Sequence, residues 1–205
     1  MFARKVLPLH PEDQRIVEVA EELCRQLNVY KITPRTVSWI DRVGIRKVPP
    51  DYIFFFQDVI RLPKPLMGKL EAEDWRPLLA SSLVYFNRLS REMFVGMLTT
   101  IVPSTLVFPL ILVFALRFFP FQSLLSQAIF FSVITLFFVF YAFMFVRWFR
   151  YQKRLQFKAD ERAADLVGRE RFLESLKKIE SLGAGKGNLL SRVIRPSVHD
   201  RIEEL

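Results

Sequence analysis

A mainly α (α+β) fold with a membrane hairpin is predicted from three features of the sequence. Residues 94–116 and 124–146 form two long runs without a charged side chain. The segments on either side of these runs have the spacing of amphipathic helices, and two short stretches have the composition of strands. We therefore predict a two-helix transmembrane hairpin inserted in a small helical domain with a short β-sheet.

The first predicted element is a helix over residues 11–27. Its first turn contains a proline and two acidic residues, which suits a helix N-terminus. Its apolar residues recur at the helical period, at Ile16, Val19, Ala20 and Leu23. The single cysteine, Cys24, lies within this helix and is interpreted as a small buried apolar residue.

Two strands and two further helices are predicted around the apolar runs. The strands cover residues 36–40, which alternate, and residues 52–56, which are β-prone and bounded by Pro49-Pro50. The helices cover residues 78–88 and 156–173. An acidic cluster, Glu71 to Asp74, precedes the first of them and suits a helix N-terminus through the macrodipole.

Each apolar run is long enough to cross a bilayer, whose hydrocarbon core of roughly 30 Å needs about 20 helical residues. Pro103 and Pro109 predict a kink in the first run. A short turn with Arg117, Pro120 and Gln122 joins the two runs. The predicted organisation is an N-terminal part of the domain over 1–93, the hairpin over 94–146, and a C-terminal part completing the domain over 147–205.

Basic residues concentrate at the outer ends of the two runs. They are Arg88 and Arg91 before the first run and Arg147, Arg150, Lys153 and Arg154 after the second, against Arg117 alone in the turn. The positive-inside rule then predicts a protein integral to the cell membrane with both termini cytoplasmic. The lipid bilayer is the predicted partner. The basic face of the C-terminal part is expected to meet anionic headgroups rather than nucleic acid; it consists of Lys177, Lys178, Lys186, Arg192 and Arg195.

The order of these elements carries a family resemblance. A helix with Ser81, Ser82 and Tyr85 is followed by the hairpin and by a helix with Gln156 and Asp160. The chain then closes on Arg195-Pro196-Ser197 and Arg201-Ile202. This arrangement resembles the HtpX and CAAX-prenyl-protease family of integral-membrane zinc metallopeptidases, where a His-Glu-x-x-His helix and a Glu-x-x-Ala-Asp helix flank a membrane hairpin. The resemblance spans roughly residues 11–205 and implies a metallopeptidase-like domain.

The resemblance assigns a role in the family's zinc site to five positions of this chain, and only Asp160 has the residue that the family has there. Ser81 and Tyr85 stand at the two His ligands, Ser82 at the catalytic Glu, and Gln156 at the ligating Glu. Asp160 keeps the family's carboxylate, which orients a ligating histidine. In the closing element, Arg195 replaces the family's His.

Neutral hydroxyls and an amide are poor ligands for catalytic zinc, which needs about three deprotonated or imidazole donors. The two histidines and the cysteine of the chain lie on neither helix. We therefore expect no catalytic residue, no metal ligand and no cofactor here, although zinc is the cofactor of the family. A small neutral hydrogen-bonded cluster is expected in its place, because buried polar groups need partners.

A strand at the position of residues 52–56 receives the extended substrate peptide in this family. The resemblance therefore implies that Phe54, Phe55 and Phe56 bind substrate. Strand addition draws its affinity from main-chain hydrogen bonds and would survive the loss of zinc. A plain core strand is the alternative interpretation of the same residues.

Three functions remain open on the sequence. The chain is an inactive pseudopeptidase that binds a polypeptide or a membrane-protein partner, an active membrane metalloendopeptidase of protein quality control with a non-standard site, or a purely structural membrane anchor protein. An open cleft lined by Ser81, Tyr85, Gln156 and Asp160 would favour binding. A cleft filled by side chains would favour the structural role, and the four residues would then be ordinary polar residues of two amphipathic helices.

Overall fold

The computed structural model describes residues 10–43, 46–49, 51–56, 58–118, 123–184 and 195–205. Of these residues 74% are helical, and they include a three-stranded sheet and two long apolar helices, so the predicted mainly α class is confirmed. The chain forms two compact units, Met1–Leu89 with Leu155–Leu205, and Ser90–Arg154. The predicted hairpin over 94–146 falls within the second unit.

The first unit opens with helix α1, Pro11–Gln26, as predicted. Ile16, Ala20 and Leu23 are buried on its inner face, and so is Cys24. The indole Nε1 of Trp39 donates a hydrogen bond to Asp13 Oδ1 at 3.0 Å. This bond joins the first strand to the first turn of α1.

The sheet consists of β1 (Thr36–Ile40), β4 (Phe54–Phe56) and β5 (Val59–Pro63) in the order β1-β5-β4. The central strand β5 runs parallel to β1 and antiparallel to β4. The sequence did not predict β5, because its five residues end in a proline and follow β4 almost immediately. A small antiparallel hairpin of β2 (Arg42–Val43) and β3 (Arg46–Lys47) lies between β1 and β4.

Helix α2 covers Ala72–Leu83 and continues as a π-helical turn, Val84–Arg88. It begins six residues before the predicted start at 78. The reason is the capping box, in which the Glu71 backbone N–H donates to Asp74 Oδ2 at 2.9 Å. The acidic cluster therefore caps the helix, as predicted.

Helix α4 covers Leu124–Val167 and α5 covers Arg169–Ile179. The predicted helix 156–173 was therefore wrong at both ends. Its first part belongs to a long helix that also contains the second apolar run, since no Gly or Pro interrupts residues 124–167. Its second part belongs to α5, which Gly168 separates from α4. The φ of Gly168 is 101°, a backbone conformation that glycine adopts freely and that is strained for other residues. The last helix, α6 (Val198–Glu204), is capped by Ser197 and Asp200.

The second unit contains helix α3, Ser90–Phe118, and the first part of α4. Both are long and apolar enough to cross a membrane. Tyr151 Oη donates to the Glu92 carbonyl at 3.0 Å, and the Tyr151 ring lies against Gly96 so closely that a Cβ there would overlap it. Pro103 and Pro109 lie inside α3, which continues past both. In the predicted turn, Pro120 and Gln122 lie outside the described residues.

Candidate functional site

The structure joins α2 to α4 through the residues that the resemblance singled out. Ser81 Oγ donates a hydrogen bond to Asp160 Oδ1 at 2.5 Å, although the two lie 79 positions apart. Gln156 Nε2 donates to Ser81 Oγ at 3.3 Å. All three side chains are buried. These positions therefore form a hydrogen-bonded cluster, but the prediction of a neutral one was wrong, because Asp160 is paired with a cation.

A fourth member of the cluster, Arg201 from α6, was not assigned a role by the sequence. Its Nε donates to Asp160 Oδ2 and its Nη2 to Asp160 Oδ1, both at 2.7 Å. Its Nη1 donates to Asp51 Oδ2 at 3.0 Å. The sequence contains one signal for this role. The carboxylate of Asp160, if buried, needs a cationic partner, and the closing Arg-Ile element supplies an arginine, Arg201.

The charges of this cluster compensate one another in a dry environment. Arg201 is only 2% exposed and Asp160 only 1%, so both are nearly out of contact with water. Burial disfavours the charged guanidinium, but the attraction of Asp160 and its hydrogen bonds, with a smaller contribution from Asp51, outweigh it and raise the pKa of Arg201. The arginine therefore stays protonated and ties α6 to α4 and to the segment before β4.

The other two predicted positions lie beside this cluster on α2 and its extension. Ser82 is buried on α2. Tyr85 lies in the π-helical turn, and its ring packs edge-on against Phe86 at 5.0 Å between centroids. Burial raises the pKa of the Tyr85 phenol, while the positive charge of Arg195 lowers it to a smaller degree. Tyr85 is therefore a neutral, mostly apolar side chain at neutral pH.

The residues of the cluster do not fit the zinc ion that the resemblance implies. Ser81, Tyr85 and Gln156 offer neutral oxygen and amide donors, which zinc takes up poorly. The carboxylate of Asp160 has both oxygens bonded to the Arg201 cation, and a guanidinium in that place repels a second cation. Within the described residues, no group of three or more His, Cys, Asp or Glu side chains could hold a metal ion.

No side chain of the cluster is placed for nucleophilic chemistry on a substrate. The hydroxyl of Ser81 is 1% exposed, and its proton is directed at Asp160. A nucleophilic serine needs a neighbouring base and access to the substrate. Ser81, Tyr85, Gln156 and Asp160 are all buried, which by the criterion stated above favours a structural role for these four residues.

The three phenylalanines of β4 have different surroundings. Phe55 is buried, opposite Ile60 of the central strand. Phe54 is partly covered, with Phe86 edge-on at 5.2 Å. Phe56 is 50% exposed, and the Arg61 guanidinium lies 5.4 Å from its ring centroid. Of the three predicted substrate-binding residues, Phe56 is the one that presents most of its ring to solvent.

A separate groove of about 600 Å³ lies between α1 and the start of α2. Two of its five glutamates pair with Arg76, which bonds Glu22 at 2.6 Å and Glu73 at 2.9 Å. The hydrogen bond from Arg76 and then its charge lower the pKa of Glu22. The pair of Arg76 with Glu22 joins α2 to α1.

Comparison of the chain with protein-family models, with curated proteins and with solved structures found no match. The likeness to the membrane zinc metallopeptidases therefore rests on the order of elements and on the residues named above.

Proposed function

We propose that this chain is a non-catalytic, membrane-anchored relative of the integral-membrane zinc metallopeptidases that binds an extended polypeptide at the edge of its sheet. The observation that carries the proposal is that both carboxylate oxygens of Asp160 already accept hydrogen bonds from the protein's own side chains. Arg201 and Ser81 satisfy both of its oxygens in the interior, at the place where the family would hold its metal-site helices together.

The loss of catalysis follows from the chemistry of the site. Metal-assisted hydrolysis needs an open coordination position, an activated water and a general base. Ser82 stands at the position of the family's glutamate and cannot accept a proton from water at neutral pH. Arg201 supplies in this chain the cross-link between helices that a metal ion supplies elsewhere.

Membrane anchoring is supported by α3 and α4, the two helices that are long and apolar enough to span a bilayer. The basic residues at the outer ends of the apolar runs favour cytoplasmic termini. In this arrangement the unit that contains the sheet works on the cytoplasmic side of the cell membrane.

Polypeptide binding is supported by the position of β4. It is an edge strand of the sheet, and its outer side pairs with no strand among the described residues. An extended peptide added there would gain main-chain hydrogen bonds, and the exposed ring of Phe56 would contact one of its side chains. Phe55 would support the strand from the core.

A purely structural anchor is the second candidate, because Ser81 and Gln156 are buried and hydrogen-bonded to each other. The two candidates differ in the use of β4. In the structural anchor the edge of β4 has no ligand. In the proposed binding protein it takes up a peptide.

The test uses the full chain in phospholipid nanodiscs and a fluorescent, reduced and carboxymethylated protein that stays unfolded. We expect saturable binding by fluorescence anisotropy and no cleavage of the probe by mass spectrometry. Phe56→Asp should weaken binding at least tenfold, since a charge on an edge strand opposes strand addition. Tyr30→Asp is the matched control, because Tyr30 is 81% exposed and lies outside the sheet.

Each alternative has its own result in this experiment. Cleavage of the probe that a zinc chelator abolishes, together with about one zinc per chain, would identify an active peptidase. An inserted, folded protein that does not bind the probe would identify a structural anchor. Equal weakening by Phe56→Asp and Tyr30→Asp would remove β4 as the binding site.

A further inference from the structure

The exposed face of α4 within the unit Ser90–Arg154 changes from apolar to basic along a single stripe. At about 100° per residue, positions 136, 140, 143, 147, 150 and 154 fall within one side of the helix. The first three are exposed and apolar: Leu136 at 75%, Phe140 at 50% and Phe143 at 64%. The next three are the exposed arginines Arg147, Arg150 and Arg154, which we call the arginine stripe.

The arginine stripe forms no ion pair within the described part of the chain, and Glu92 is the one acidic residue of positions 90–154. None of its three guanidinium groups forms a hydrogen bond or an ion pair with another described residue. Three like charges on one helix face create a positive potential that attracts anions. The three exposed guanidinium groups are therefore available to an anion from outside the chain.

The position of the stripe fits the headgroup layer of a bilayer. The rise from Arg147 to Arg154 is about 10 Å, while the polar layer of one leaflet is roughly 5–8 Å thick. Flexible arginine side chains reach a few ångströms along the helix axis, so all three can present their charge at this depth.

Aromatic residues mark the same level of the unit. The rings of Trp148 and Tyr151 lie 6.0 Å apart between centroids, and such residues are enriched at the membrane–water interface. The hydrogen bond from Tyr151 to the Glu92 carbonyl brings the start of α3 to this level. Arg91, also exposed, follows the first residue of α3 and adds a fourth positive charge there.

We propose that Arg147, Arg150 and Arg154, with Arg91, form a binding site for the headgroups of anionic phospholipids. Guanidinium groups bind phosphate oxygens through two parallel hydrogen bonds and are well suited to this task. A zwitterionic headgroup brings its own ammonium group, which offsets the attraction, so the site should prefer lipids with net negative charge. This inference rests on the proposed membrane anchoring of the chain.

The test measures lipid selectivity of the full chain in phosphatidylcholine vesicles. A trace of spin-labelled phosphatidylglycerol or spin-labelled phosphatidylcholine is added, and electron paramagnetic resonance gives the fraction of each that the protein immobilises. We expect a several-fold preference for phosphatidylglycerol that falls as ionic strength rises. The triple substitution of Arg147, Arg150 and Arg154 by Gln should reduce the ratio to near one.

A matched control removes the same charge elsewhere. Arg162, Arg169 and Arg171 are exposed and lie in the other unit, and their triple substitution by Gln should leave the preference unchanged. Equal lipid association in the unmodified chain, or equal loss in the two triple variants, would overturn the site. Failure of the unmodified protein to float with pure phosphatidylcholine vesicles would instead overturn the membrane anchoring, and the site with it.

Discussion

Arg201 and Asp160 form a buried ion pair with two parallel hydrogen bonds of 2.7 Å each. The pair joins α6 to α4 across 41 positions of the sequence, and Ser81 from α2 adds a third hydrogen bond to the same carboxylate. Three helices therefore meet on one carboxylate.

Breaking the ion pair from one side should destabilise the protein strongly. Arg201→Met leaves the Asp160 charge buried without its partner, which costs about 3–5 kcal/mol of unfolding free energy. Denaturant titration in detergent micelles measures the loss. Arg162→Met, an exposed change on α4, is the control and should have little effect. The double variant Asp160→Leu with Arg201→Met should lose less than the sum of the single changes, and simple additivity would refute the coupling.

Ser81 and Ser82 are neighbours on α2, and their alanine variants should differ. Ser81→Ala removes the 2.5 Å hydrogen bond to Asp160 and the oxygen that accepts the hydrogen bond from Gln156. This change should lower the unfolding free energy by about 1–3 kcal/mol. Ser82→Ala should change the unfolding free energy little, since Ser82 makes no hydrogen bond to a described residue. Equal effects of the two changes in chemical unfolding would contradict the assigned network.

Gly96 should tolerate no side chain, because the Tyr151 ring occupies the space of a Cβ. Gly96→Ala forces the ring or the helix to move, and overpacking of this kind costs about 1–3 kcal/mol. A lower thermal midpoint of the full chain in micelles is the expected result. Val95→Ala, at an exposed neighbour, is the control. Adding Tyr151→Ala to Gly96→Ala should restore part of the loss if the ring is the cause.

Cys24 should make the unfolding free energy fall between about pH 9 and 11. Burial, with a smaller effect of the Glu21 charge, raises the pKa of the Cys24 thiol from 9.0 to about 11. In this interval the unfolded chain loses the thiol proton and the folded chain keeps it, so raising the pH favours unfolding. Below pH 9 both states are protonated and no such effect is expected. The decline should be smaller in Cys24→Ala, and identical pH profiles of the two proteins would exclude this origin.

Both termini should lie on the cytoplasmic side if the basic ends of the apolar runs orient the hairpin. A protease added to intact cells should then spare a tag at the C-terminus and digest it after permeabilisation. A tag at residue 120, in the predicted turn, should show the opposite accessibility. Digestion of the C-terminal tag in intact cells would reverse the topology.

Local features were predictable because they depend on spacing and composition within a few residues. The bounds of α1, the capping role of the cluster before α2 and the two long apolar helices belong to this group. The sequence did not predict the continuity of α4, although no Gly or Pro interrupts it, because the change from apolar to basic residues at 147 is typical of the end of a membrane span.

The sequence by itself determined the mainly α class and the two long apolar helices, since both follow from which residues are present and how they are spaced. Only the tertiary structure decided that Arg201 bonds Asp160 and Asp51, because Arg201 lies 41 and 150 positions away from these partners. It also decided that β5 is the central strand and that the cluster around Ser81 is closed. Strand order and burial depend on contacts between distant segments, which local periodicity does not encode.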